Sequence, residues 1–454
     1  MTMPLRAPER VLPTLNTDGT RRWVEPRLFK GRYYRARLVV AWLLIALFAA
    51  LPFVRIGGKP AILLDVRHWQ FTLFGRTFLP TDGVLLMLLL LAIFVGIILA
   101  TALVGRVWCG WACPQTVYME FVFRPLERLL GGKRRKRSGT RPALSPLALV
   151  AFALSSVVVA NVFLAYFVGT ADLGAWMRRS PTEHPGPFLV VAVTSGLVFF
   201  DFAYFREQMC TVACPYARLQ SVLLDPKSLI VAYDGGRGEP RGKKGTTSGD
   251  CVDCRLCVAA CPTGIDIRNG LQLECITCTQ CMDACDGVMQ KLGRPLGLIR
   301  YTSQDALEKR RLDVRALLRP RIVIYPVILV ALLAALVFTG ATRRDAEVTL
   351  LRGIGAPFYE QGDLVRNHLR IKVRNRAASD GRYALSLAAP GDAMLVAPEN
   401  PLTVRGGQQS EESIFVLLPR RSFRAGTATA HLRVSDEHGF SRDLSYQLLG
   451  PTTP

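Results

Sequence analysis

Five long apolar runs organise the first three quarters of the chain. They extend from Leu38 to Val54, Val84 to Val104, Leu144 to Val168, Phe188 to Phe205, and Ile322 to Thr339. Each is close to the length at which an α-helix crosses roughly 30 Å of hydrocarbon. The second run carries no charge, and the fourth is broken only by Asp201 near its end. Residues 1–37 are polar and rich in arginine (Arg21, Arg22, Arg27, Arg32, Arg35 and Arg37, with Lys30). A charged region of that length is long for a secretory signal, so the first run reads as a retained helix.

The pattern changes after residue 340. Segments such as Leu369-Arg370-Ile371-Lys372-Val373, Tyr383-Ala384-Leu385-Ser386-Leu387 and Ser413-Ile414-Phe415-Val416-Leu417 alternate with period two, the signature of half-buried strands. Gly, Pro, Asp and Asn punctuate them at short intervals. Residues 341–454 therefore predict an all-β immunoglobulin-like sandwich, without the inter-sheet disulfide because no cysteine lies there. The expected fold is multidomain. It comprises a cytoplasmic N-terminal tail (1–37), a four-helix membrane region (38–225), an α+β ferredoxin-like insert (226–320), a fifth transmembrane helix (321–340) and the sandwich (341–454).

Composition agrees with a membrane protein: half of the 454 residues are apolar, and mean hydropathy is +0.24. The net charge of +22 leaves nucleic acid, an anionic membrane surface or positive-inside loops as explanations. Position decides between them. Lys133-Arg134-Arg135-Lys136-Arg137 lies in the 106–143 loop, and 206–321 is also rich in Lys and Arg, whereas 57–82 and 170–186 carry few. This alternation predicts an inner-membrane protein whose N-terminus, 106–143 loop and 206–321 segment are cytoplasmic and whose sandwich is periplasmic. No motif that reads RNA or DNA accompanies the basic run, so no nucleic-acid partner is expected.

The twelve cysteines carry the chemistry. Cys251, Cys254, Cys257 and Cys261-Pro262 form a Cys-x2-Cys-x2-Cys-x3-Cys-Pro motif, and Cys275, Cys278, Cys281 and Cys285 repeat its spacing. Three thiolates two residues apart wrap a tight loop around one face of a cubane. The fourth, one helical turn on, points to the other cluster. The expected ligands are thus Cys251, Cys254, Cys257 and Cys285 for one 4Fe-4S cluster, and Cys275, Cys278, Cys281 and Cys261 for a second. Zinc ribbons use paired Cys-x2-Cys units and not triplets with a trailing cysteine. Asp286 stands where the second proline would be. Its charge is expected to disfavour an extra electron nearby.

Cys109, Cys113, Cys210 and Cys214 form two Cys-x3-Cys-Pro pairs just past the second and fourth runs, and each cysteine of the second pair lies 101 positions after its counterpart. The repeat suggests duplicated hairpins. Residues at i and i+4 share a helix face, so each pair presents two sulfurs together. Buried packing is the bland alternative. Copper, a third iron–sulfur cluster or a redox-active dithiol are the chemical ones, and soft thiolates favour Cu(I).

Other positions carry weaker signals. No histidine (His68, His184, His368, His431, His438) falls inside an apolar run, which argues against a bis-histidine haem in the bilayer. Asp201 reads as an interfacial carboxylate near Arg206. Trp108, Trp111 and Tyr118 read as interface-belt aromatics. Gly235-Gly236-Arg237-Gly238 has no phosphate-loop lysine and reads as a linker.

Together, Trp108-Cys109-Gly110-Trp111-Ala112-Cys113-Pro114-Gln115, Met209-Cys210 through Pro215, Cys261 through Gly270 and Cys275-Ile276-Thr277-Cys278 resemble the CcoG/FixG/RdxA family of cytochrome c oxidase accessory proteins. The order of membrane region, ferredoxin domain, final span and sandwich matches as well. The resemblance implies maturation of a cbb3-type oxidase by reduction of Cu(II) to Cu(I), with Cys109, Cys113, Cys210 and Cys214 as the copper or redox site. It implies oxidase subunits or assembly factors as partners, a copper chaperone or transporter, and a cytoplasmic electron donor. Two rival functions stand beside it: a general electron conduit to a quinone or periplasmic reductase, and a non-enzymatic assembly scaffold.

Overall fold

The computed structural model describes residues 13–16, 18–66, 70–78, 82–131, 144–242, 249–309, 320–342, 346–377 and 379–452. The basic run Lys133–Arg137 and His68 fall outside the described residues. The chain divides into two compact units, one built from the membrane helices and the cysteine-rich segment, the other mainly from residues 337–454.

Among the described residues, five helices are long and apolar enough to cross a membrane: 32–53, 83–104, 146–168, 185–205 and 322–341. Many of their large side chains, including Leu43, Leu90, Leu154, Leu197 and Val330, are exposed. Leaving such side chains in water forfeits about 1.5–3 kcal/mol each, a loss that lipid removes. The chain is thus a membrane protein. The first helix, Arg32–Ala50, starts six residues before the apolar run. Its early turns are polar because they pack on protein: Arg37 is only 1% exposed.

The segment before that helix is strapped down. Arg21 pairs with Glu207 at 3.0 Å and lies over the Trp23 ring, and the Arg27 N–H donates to the Ala259 carbonyl at 2.7 Å. Residues 13–16 and 18–31 are therefore part of the fold and not a loose tail. Inside the helical layer Phe123 stacks on Phe202 at 4.2 Å and meets Phe152 edge-on at 5.0 Å. Tyr118 is buried in the same cluster against Phe48 and Phe202, so it is a core aromatic and not a belt residue. The Trp111 ring nitrogen donates to the Tyr301 hydroxyl at 3.1 Å, which ties it to the cysteine-rich segment. Trp108 is exposed. The Asp201 carboxylate accepts from Gln115 at 3.2 Å, whereas the Arg206 guanidinium pairs with Glu127 at 2.5 Å. Asp201 and Arg206 lie near each other, joined by the Arg206 N–H to the Asp201 carbonyl at 2.6 Å, but their side chains have different partners.

In the cysteine-rich segment, strand Ile230–Tyr233 pairs antiparallel with Ile299–Thr302, and helices Leu256–Ala260 and Gln280–Leu292 pack around the same core. Gly235–Gly238 is a helical turn rather than a linker. The Asp234 side chain accepts from the Arg237 N–H at 3.3 Å, and Arg237 pairs with Asp250 at 2.9 Å.

The second unit is a sandwich of two antiparallel sheets. One runs Met394–Val396, Gln409–Pro419, Leu364–Asn375, Ala346–Arg352, with Tyr359–Gln361 also on the third strand. The other runs Leu402–Val404, Gly381–Ala389, Thr427–Asp436, Ser441–Leu449. Strand Leu364–Asn375 alternates half-buried and buried along its whole length, as period-two patterning demands. Its inward Val365, Leu369, Ile371 and Val373 meet Leu385, Leu432 and Val434 from the opposite sheet.

Candidate iron–sulfur site and membrane-edge cysteines

The two cysteine triplets share a backbone device. In Cys251-Val252-Asp253-Cys254-Arg255-Leu256-Cys257 the residues flanking the middle cysteine, Asp253 and Arg255, have φ of +51° and +56°. In Cys275-Ile276-Thr277-Cys278-Thr279-Gln280-Cys281 their counterparts, Thr277 and Thr279, have φ of +58° and +60°. Left-handed backbone costs a non-glycine residue roughly 1–2 kcal/mol. It persists here in both copies because it bends each loop around a void. Each triplet then runs into a helix: Leu256–Ala260, with Cys261 just after it, and Gln280–Leu292, which carries Cys281 and Cys285.

Two cavities result. One is lined by Cys251, Cys254, Cys257 and Cys285 with Tyr233 and Arg268. The other is lined by Cys257, Cys261, Cys275, Cys278 and Cys281, with Val231, Ile265 and Ile267 as apolar wall. The trailing cysteines therefore cross over, each reaching the cavity of the other triplet. All twelve cysteines are free thiols. Burial pushes Cys257 up to about 11 and Cys278 and Cys285 up to about 12. Such sites resist bare thiolates and accept them when cationic iron supplies the compensating charge. Among the described residues no three His, Cys, Asp or Glu side chains converge closely enough for one metal ion. A single-ion thiolate site needs its sulfurs at about 2.3 Å from the metal. Sulfurs spread around a void suit a cubane.

The proline after Cys261 and the aspartate after Cys285 now have a common explanation. Helix Leu256–Ala260 stops at Cys261, where Pro262 is tolerated. Helix Gln280–Leu292 continues seven residues past Cys285, where a proline would break it. Asp286 instead accepts the Gly297 N–H at 2.9 Å and faces Arg32 at 3.7 Å, so its charge is partly balanced.

The four membrane-edge cysteines lie together. The ionised form of Cys210 is disfavoured first by burial and then by Cys113, Cys109 and Cys214, which push its thiol up to about 12. Burial raises Cys109 as well, with Arg106 the main opposing charge. Cys109 is buried against Ile276 and Cys278, with Cys210 and Tyr216 beside it, and its thiol donates to the Gln220 Oε1 at 3.0 Å. One edge of the second triplet therefore touches the membrane pair directly. Gly110 makes this approach possible, because a Cβ there would lie 2.5 Å from the Ile276 carbonyl oxygen. Arg106 donates to the Leu273 carbonyl and Arg37 Nε to the Gly110 carbonyl at 3.0 Å, which closes the seam.

Comparison with known proteins bears on all three regions. A 4Fe-4S dicluster domain matches residues 205–304, a 4Fe-4S binding domain matches 86–137, and the Ig-like fold at the C-terminus of FixG matches 336–451. Protein RdxA of Cereibacter sphaeroides is 34% identical over 80% of this chain and 81% of its own. The chain belongs to the FixG/RdxA family. FixG of Rhizobium meliloti is 30% identical over 93% of this chain and 92% of its own, and RdxB of Cereibacter sphaeroides is 32% identical over 93% of each. Like its family, this FixG/RdxA protein is a membrane iron–sulfur electron-transfer protein with an Ig-like domain.

Within the FixG/RdxA chain, several site residues escaped the sequence reading. Arg37, counted with the polar N-terminal region, and Arg106, which was not singled out, are buried at the seam. Gln220, which links the Cys109 thiol to Thr101 and Tyr216, carried no signal. The repeated small or polar residues around Cys254 and Cys278 were the available hint of left-handed turns. His184 pairs with Arg179 at 2.6 Å, and His368 stacks on Phe415 at 4.9 Å.

Proposed function

We propose that the protein delivers single electrons to copper at the membrane-edge cysteines, reducing Cu(II) to Cu(I) for assembly of a cbb3-type cytochrome c oxidase. The packing of Cys109 in one buried cluster with Ile276 and Cys278 supports this reading. Cys251, Cys254, Cys257 and Cys285 would hold one 4Fe-4S cluster, and Cys261, Cys275, Cys278 and Cys281 the other. When bound, these clusters supply reversible one-electron storage. The protein's own groups do the rest. The left-handed turns shape the two cavities, apolar walls exclude water, and Gly110 lets the membrane pair approach Cys278.

The substrate step transfers one electron, supplied by a low-potential cytoplasmic donor, to Cu(II) and needs no proton. Cu(II) would be met by a pair of thiols rather than by all four, and soft sulfur favours the Cu(I) product. The N-terminus and cluster region would face the cytoplasm and the sandwich the periplasm, where oxidase subunits, assembly factors or a copper chaperone would meet it.

The test uses anaerobically purified, reduced protein given Cu(II), with Cu(I) trapped by a chromogenic chelator. Cys→Ser changes at 109, 113, 210 and 214 should abolish Cu(I) formation and leave the iron content unchanged. An undiminished rate in the fourfold variant would refute the route. A second reading has its own support: the 4Fe-4S binding domain match at 86–137 contains Cys109 and Cys113. A third cluster at the four cysteines would raise iron from about eight to about twelve per chain.

A further inference from the structure

The two cysteine triplets share left-handed turns at their middle cysteines, yet the turns stand in opposite surroundings. In the first, Asp253, Cys254 and Arg255 are all exposed, and of the twelve cysteines only Cys254 is exposed. In the second, the matching Thr277, Cys278 and Thr279 are all buried. Sequence follows surroundings: a carboxylate and a guanidinium flank the open apex, and two threonines flank the closed one. The membrane edge closes the second turn, through Gly110 against the Thr277 backbone and through Cys109 in one cluster with Cys278. The first turn is held from behind. Arg268, a nearly buried side chain, pairs with Asp253 and, at 2.6 Å, with Asp266. Arg255 lies 3.8 Å from Asp253 with its side chain 74% exposed. Cys257 lines both cavities, so the two adjoin.

We infer that the Asp253-Cys254-Arg255 turn is the face on which a soluble, acidic one-electron carrier protein docks, and that the electron leaves past the Thr277-Cys278-Thr279 turn toward Cys109. This rests on the reading of the two triplets as cluster ligands. A soluble carrier must bring its own redox centre close to the acceptor, and only the first turn offers a cavity-lining sulfur to water. The second turn is covered by the protein's own membrane edge. The carrier loses one electron and Cu(II) gains it, with no bond made or broken between carrier and protein. Charge selects the carrier. Asp253 is engaged by Arg268 behind it, which leaves Arg255 as the outward charge, and Arg241, Lys243 and Lys244 lead into the motif. A positive face steers an acidic partner and speeds its encounter. Positive-inside patterning accounts for the excess of Lys and Arg in the segment. It does not account for one motif opening at its middle cysteine while its repeat closes.

The experiment uses full-length, iron-loaded protein, with Arg255→Glu and Arg255→Asn alongside. The first measurement is EPR of the reduced protein with a water-soluble dysprosium chelate. One of the two cluster signals should relax faster in its presence, and that signal's midpoint should be the one that falls in Arg255→Glu. The second is stopped-flow reduction by reduced plant-type ferredoxin, an acidic one-electron carrier. Its second-order rate should fall as salt rises, and should drop about tenfold in Arg255→Glu at low salt. Reduction by a neutral photoreduced deazaflavin should be equal in the two proteins. Arg255→Asn, which suits left-handed backbone, should slow ferredoxin less in the same direction. Equal relaxation of both signals, or a ferredoxin rate indifferent to Arg255→Glu, would overturn the inference while leaving the ligand reading intact. Unaltered protein without iron would overturn both. If Arg255→Glu fails to retain iron, the Arg255→Asn rate decides, with an unmoved rate counting against the inference.

Discussion

The Cα of Gly110 faces the backbone of Thr277 so closely that a Cβ at residue 110 would lie 2.8 Å from the Thr277 carbonyl oxygen. Neither side can yield cheaply, because Thr277 is held in a left-handed turn and Gly110 lies in helix Val107–Trp111. Gly110→Ala should therefore push the two cysteine regions apart. The expected cost is about 1–3 kcal/mol of overpacking, seen as a lower melting temperature. Electron delivery to Cu(II) should fall more than iron content, because the seam opens while the cavities keep their walls. Parallel iron assay and chelator-detected Cu(I) formation check this.

Asp283 caps the first membrane helix from a distance. Its Oδ1 and Oδ2 accept the N–H groups of Tyr33 and Tyr34 at 3.1 and 2.7 Å, and Gly31, the residue before the helix, has no capping side chain of its own. Asp283→Ala should cost about 1 kcal/mol of helix capping. Asp283→Asn should cost less, since one acceptor remains. Thermal unfolding monitored by circular dichroism in detergent measures both.

Asp286 offers a matched pair of substitutions. Asp286→Pro places a proline inside helix Gln280–Leu292 and removes the acceptor for the Gly297 N–H. About 3 kcal/mol of destabilisation is expected, with loss of iron as Cys285 shifts. Asp286→Asn keeps the acceptor and the helix, so iron should be retained. The removed negative charge should raise the potential of the cluster beside Cys285. EPR titration of both variants separates backbone from charge.

The buried thiols give a pH dependence with a definite sign. In the iron-free fold Cys278, Cys285 and Cys210 are pushed up to about 12 from an ordinary thiol value near 9. The folded state thus holds protons that the unfolded chain releases. Its stability is fully present below pH 9 and is lost as pH rises toward 12. Iron-free protein should unfold progressively more easily over that window in denaturant titrations. Iron-loaded protein, in which Cys278 and Cys285 would be thiolates at every pH in the window, should show a weaker trend carried by Cys210, and loading should release protons measurable in weak buffer.

What the sequence made legible follows from the range of the forces involved. Spans are set by uninterrupted apolar length, and all five runs coincide with helices, with ends shifted by a few residues. Strand alternation at Leu369–Val373 and the cysteine spacings are equally local, and both reappear as geometry. What stayed hidden depends on pairing across the chain. Arg37 looks like the end of a basic tail until the Gly110 carbonyl accepts its Nε proton, and Tyr118 looks like a belt residue until Phe48 and Phe202 enclose it. Arg206 has Asp201 five positions away, yet its guanidinium reaches Glu127. No periodicity encodes such choices; they are settled by which surfaces meet.

The cap that Asp283 places on Tyr33 spans 250 positions of sequence. During synthesis the first helix must therefore enter the bilayer with its leading N–H groups still bonded to water. They acquire their lasting acceptor only after the second cysteine motif has been translated and folded. Folding of the second cysteine motif and final seating of the first helix thus become a single late event in the maturation of the membrane portion.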